Sequence, residues 1–199
     1  MIEVPSSVET DTLTDWAEAS CLFGRSESIS KHEVEESLDG AGVSNPEELV
    51  SDIWQEIDLR HQIGGNSHPV RSLRGRIERI QPWDRNLIYV FQLLLAMQSF
   101  YGATRLSRSE WPSTAKVFER LTTVALEHYL SGRAINIGAP RGGEVPSGFG
   151  ECLRYLCSNL SEALGAMQLY TSRTRDDGVD VFAWRPFGDE RPGQVIILA

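Results

Sequence analysis

The chain changes texture at Gly132, and any fold must accommodate that change. Before it, apolar residues recur at helical spacing, with Pro near the starts and Gly at the stops. After it, the eighteen residues "RAINIGAPRGGEVPSGFG" (133–150) hold five Gly and two Pro. One helical segment follows, "FGECLRYLCSNLSEALG". Two β-branched apolar runs then appear, "VDVFAW" (179–184) and "QVIILA" (194–199), separated by "RPFGDERPG". Helices first and then a helix with strands predict an α+β chain. The expected organisation is an all-α domain over 1–132, a Gly/Pro-rich linker over 133–148, and the opening helix and strands of a second, α/β domain over 149–199.

Within the first part, "TDTLTDWAEASCLFG" predicts a helix with Leu13, Trp16, Ala17 and Ser20 on one face and Gly24 as its stop. Ser30 and Glu33 have capping-box spacing. "SNPEELVSDIWQEIDLRHQIGG" places Pro46 in a first turn and Gly64 past the end. "NSHPVRSLRGRIERIQPW" reads as irregular or a short strand. "LIYVFQLLLAM" (87–97) is apolar on most sides and too short to span a bilayer, so it predicts the helix at the centre of the core. "WPSTAKVFERLTTVALEHYLSG" is amphipathic through Ala115, Phe118, Leu121, Ala125 and Tyr129. The five tryptophans are expected as core or helix-crossing anchors.

An acidic start, "MIEVPSSVETDT", is not a signal peptide, and three cysteines without metal-ligand spacing suit a reducing compartment. A cytoplasmic protein without a membrane segment is expected. The net charge of −9 is uneven. Residues 1–60 hold fifteen acidic and three basic residues, and residues 61–199 hold thirteen acidic and sixteen basic. Such a split predicts two surfaces with different partners. Nearly all the basic side chains are arginine, the only lysines being Lys31 and Lys116.

Three aspartates crowd the start of the first apolar run: Asp176, Asp177 and Asp180. Asp176-Asp177-Gly178 reads first as a turn, with Asp180 a solvated strand residue. The alternative is a cation site, because like charges that close repel unless solvated or bridged by metal. The order of a helix with Glu151, then "GVDVFAW", a loop and "QVIILA" resembles the restriction-endonuclease-like nucleases, the PD-(D/E)xK superfamily. The resemblance covers about residues 145–199. It implies Mg²⁺ held by Asp180 as the central ligand, with Glu151 as the helix acid, and Asp177 is a further candidate from the same turn. The family's (E/Q)-x-K element is absent, since Gln194 is followed by Val195 and Ile196, and no lysine follows Lys116. That element is expected beyond Ala199, in a longer protein, leaving the catalytic half-site here incomplete and inactive. A helical domain leading into such a nuclease resembles the effectors of bacterial anti-phage systems.

Arginines form the other candidate group. Arg71, Arg74, Arg76 and Arg79 lie within "VRSLRGRIER", and Arg173 and Arg175 flank the aspartates. Guanidinium groups meet phosphate backbones, so these six are candidate nucleic-acid contacts, and a solvated face pairing with the acidic helices is the plainer reading. His61 and His68 read as ordinary loop residues. "GAPRGGEVPSGFG" lacks the Lys-Ser/Thr of a P-loop. Two further readings stand beside the nuclease: a non-catalytic helical module whose acidic face binds a protein partner or a second copy, and a nucleic-acid binder without chemistry.

Overall fold

In the computed structural model, which describes residues 1–98, 111–165, 178–188 and 195–199, the chain divides into two units, Met1–Leu106 and Ser107–Ala199. Helices mix with two small antiparallel sheets, so the chain is α+β. The division falls before the expected boundary at 132, because the helix that ends at Leu130 packs on the second sheet.

The N-terminal unit is not all-α. Its helices α1 (Thr10–Phe23), α2 (Lys31–Gly40), α3 (Pro46–Gly64) and α4 (Leu87–Gln98) accompany β1 (Ser28–Ser30), β2 (Val70–Leu73) and β3 (Arg76–Arg79). The strands form an antiparallel sheet in the order β1-β3-β2. Arg74 and Gly75 make the two-residue turn between β2 and β3, both at positive φ (49° and 74°), as a twisted tight hairpin demands. Val70 and Ile77 point inward from this arginine-rich hairpin.

The central helix is α1, not α4. Every residue of α1 from Thr12 to Leu22 is buried, whereas α4 buries only Val90, Leu93 and Met97. Polar residues reach the core because they are paired. Arg60 donates to Asp15 (2.6 Å), Glu18 (3.2 Å) and Glu56 (2.9 Å). His68 Nε2 lies 2.9 Å from Glu18 Oε1, its Nδ1 lies 2.7 Å from the Val70 carbonyl, and the Tyr89 hydroxyl donates to Glu18 Oε2. Burial pushes the Asp15 carboxyl and the Tyr89 hydroxyl above their ordinary values, with Arg60 opposing the shift in both. His68 is therefore a core residue and not an ordinary loop histidine.

The C-terminal unit contains α5 (Trp111–Leu130), β4 (Arg133–Asn136), α6 (Phe149–Leu160), β5 (Val181–Arg185) and β6 (Val195–Leu198). The sheet order is β4-β5-β6, antiparallel throughout, with β5 in the middle. Residues 133–148 are thus no simple linker. Arg133–Asn136 pair with Val181–Trp184, and Ile137 is buried with Cys152 and Leu156 of α6. Trp16, Trp54 and Trp184 are core anchors, but Trp83 is 47% exposed. No helix among the described residues is long and apolar enough to cross a membrane.

Candidate functional site

Asp180 stands at the entry to the central strand of the second sheet, and its backbone is tied on both sides. Its carbonyl accepts from Ile137 (2.7 Å) and Gly138 (3.0 Å) beyond β4, and its amide donates to the Ala199 carbonyl (2.8 Å) beyond β6. The residue itself is exposed. A carboxylate is thereby held at one end of a rigid strand, where solvent or ligand can reach it.

Opposite it is a residue that local pattern did not single out, Glu119 of α5. The two acids converge on Gly138. A Cβ there would stand 2.6 Å from Asp180 Oδ1 and 3.0 Å from Glu119 Oε2, closer than real side chains pack. Only glycine lets the chain pass between both carboxylates without displacing them. Glu119 is nearly buried, at 12% side-chain exposure, and its Oε2 accepts from Lys116 Nζ (2.6 Å) and Asn136 Nδ2 (2.7 Å). Lys116 Nζ also donates to the Gly138 carbonyl (3.0 Å), and Asn136 Oδ1 accepts from the Gly138 amide (3.1 Å). Helix, strand and loop thus supply two carboxylates, one ammonium and one amide around a single glycine.

The face of α5 that does this is the polar one. Lys116, Glu119 and Thr123 recur at helical spacing, and Thr123 Oγ1 bonds back to the Glu119 carbonyl at 2.8 Å. The apolar stripe faces away, with Phe118 46% and Tyr129 80% exposed. Amphipathic reading alone would have put that stripe in the core. The one sequence clue was rarity, because Lys116 is the sole lysine after Lys31.

Glu151 lies in the first turn of α6, exposed, with its carboxylate turned back toward Gly148, whose Cβ would meet Glu151 Oε2 at 3.3 Å. That position suits an acid at a helix N-terminus. Asp177, Arg173 and Arg175 lie outside the described residues, as does Gln194. Among the described residues no three or more His, Cys, Asp or Glu side chains gather as metal ligands.

Three of the four hairpin arginines have acidic neighbours. Arg71 faces Glu78 (3.3 Å), Arg79 faces Glu27 (2.7 Å), and Arg76 donates to the Ser28 hydroxyl (2.9 Å) with Glu33 3.7 Å away. Arg74 occupies the exposed turn. Charge on this hairpin is largely balanced within the N-terminal unit. No family model, curated protein or solved structure matches the chain.

Proposed function

We propose that the C-terminal unit is a metal-dependent nuclease of the restriction-endonuclease-like kind, with Asp180 and Glu119 as its acid pair. One observation carries the reading: carboxylates from α5 and from the entry to β5 meet at Gly138, 3.0 Å or less from where a side chain would begin. The donor set suits Mg²⁺, a hard cation commonly held by one or two carboxylates together with water and substrate oxygens. Asp180 and Glu119 would hold the ion. When bound, Mg²⁺ would supply positive charge for the phosphodiester oxygens that become more negative during cleavage.

The chain's own part is positioning. Asn136 and Lys116 hold Glu119 in one orientation, and backbone bonds on both sides hold Asp180. Lys116, 35% exposed, provides from the helix an ammonium of the kind that the family's motif takes from a strand. Its charge meets an incoming phosphate and stabilises the transition state. Glu119 replaces Glu151 as the proposed helix acid. A role as a cytoplasmic anti-phage effector rests on resemblance of layout alone.

The test is cleavage of supercoiled plasmid DNA and of single-stranded RNA, with Mg²⁺ or with a chelator. With Lys116 in the role of the strand lysine expected beyond Ala199, Mg²⁺-dependent cleavage by this chain is expected in place of an inactive half-site, and Asp180→Ala, Glu119→Gln and Lys116→Met each slow it by about 100-fold. Cleavage that survives Asp180→Ala overturns the assignment. If neither cleavage nor Mn²⁺ binding by paramagnetic resonance is seen, the second reading takes its place. That reading is a non-catalytic interaction module, favoured by the exposure of Val117 (48%), Phe118 (46%), Val124 (46%) and Tyr129 (80%) along α5. It requires a mass by light scattering that rises with concentration and returns to one chain in Phe118→Asp.

A further inference from the structure

The N-terminal unit carries a feature that the nuclease reading does not use. A cleft of about 550 Å³ opens beside the buried Glu18–His68–Tyr89 network. That size falls within the range of roughly 300–1,000 Å³ typical of small-ligand sites. Ile63, Leu87 and Ile88 form its walls, yet they are 79%, 61% and 59% exposed. Single exposed aliphatic residues need no explanation, but three around one concavity do.

The floor is formed by His68 and Tyr89. Both His68 nitrogens and the Tyr89 hydroxyl are engaged with Val70 and Glu18, so the floor offers ring surface and few hydrogen bonds. Charge at the cleft runs against that of its surroundings. The first sixty residues carry fifteen acids, but among the described residues no carboxylate lines the cleft, while two arginines do. Arg60 is held by Asp15, Glu18 and Glu56. Arg85 is exposed, and its guanidinium has no ion pair or hydrogen bond among the described residues.

We propose that this cleft binds a small organic anion. Its apolar body rests on Ile63, Leu87 and Ile88 above the His68 and Tyr89 rings, and its carboxylate meets Arg85. Guanidinium groups suit a planar carboxylate because they present paired N–H donors. The apolar walls supply the affinity and Arg85 selects the charge. A neutral or cationic molecule of the same shape gains only the first.

The test uses the full ¹⁵N-labelled chain and three probes of similar size: phenylacetate, benzyl alcohol and benzylamine. Phenylacetate is expected to shift the amide signals of Ile63, Leu87 and Ile88 and to bind about tenfold more tightly than either counterpart. Arg85→Gln removes that difference without altering the circular dichroism, because Arg85 is exposed and makes no ion pair among the described residues. Ile88→Ser weakens all three probes. Equal binding of the probes, an unchanged preference in Arg85→Gln, or no shift at these amides at tens of millimolar phenylacetate each overturns the proposal.

Discussion

His68 is held at both ring nitrogens. Its Nδ1 faces the Val70 carbonyl at 2.7 Å, which can only accept, so that nitrogen carries a proton. Its Nε2 faces Glu18 Oε1 at 2.9 Å and the Tyr89 hydroxyl at 3.0 Å, and that hydroxyl also lies against the other Glu18 oxygen. Removing one partner from such a buried set leaves the others uncompensated. Glu18→Leu is expected to cost about 3–5 kcal/mol by urea denaturation. A loss under 1 kcal/mol would show that the network contributes little. In ¹⁵N spectra of labelled histidine, the His68 Nδ1 proton should be directly visible. None of this was legible locally, since the partners of Glu18 lie 50 and 71 residues along the chain. Nothing near Asp15 and Glu18 in sequence pairs them, and only the fold supplies the arginine, histidine and tyrosine that surround them.

Local patterns read well where an element is stabilised by its own neighbours. The box at the start of α2 is present as its spacing predicted, with the Ser30 amide donating to Glu33 Oε2 (2.7 Å) and the Glu33 amide donating to Ser30 Oγ (3.2 Å). The Ser30 hydroxyl, which donates to Glu33 Oε2 at 2.6 Å, and after it the Ser30 amide hold the Glu33 carboxyl below its ordinary value. The folded state therefore favours the ionised form. Its contribution is present above the ordinary glutamate range and is lost as pH falls through the lowered value. Ser30→Ala should cost about 1 kcal/mol at neutral pH, and the difference from wild type should shrink in acid melts as Glu33 protonates. A difference constant down to strongly acidic pH would contradict this. Reading failed where tertiary packing overrode periodicity. The apolar α4 lies at the margin of its core, and α5 turns Lys116 and Glu119 toward the sheet. Of the strands of the N-terminal unit, only a short strand within residues 66–83 was anticipated, because strands of three or four residues with one inward apolar side chain each carry too little alternation to register.

At the scale of the whole chain, the two units differ in how much their described residues bury. The described core of the first joins α1, α3, the sheet and part of α4, while that of the second centres on Ile137, Cys152 and Leu156. Unequal cores predict unfolding in two steps, the C-terminal unit first. The cysteines report each step. Cys21 and Cys152 are fully buried in different units and Cys157 is half-buried, and burial pushes the Cys21 thiol up to about 11. With a thiol reagent in rising urea, Cys157 should react first, then Cys152, and Cys21 last. Simultaneous labelling of Cys21 and Cys152 would mean a single cooperative transition. Binding and folding also meet at the final strand. The Asp180 and Val181 amides both donate to the Ala199 carbonyl at 2.8 Å, and the Ala199 amide returns to Val181 at 3.0 Å. β6 is therefore a mechanical tether on the acid at the glycine. A fused tag, a proteolytic nick or a peptide that tugs this strand out of register would move Asp180 without touching its side chain.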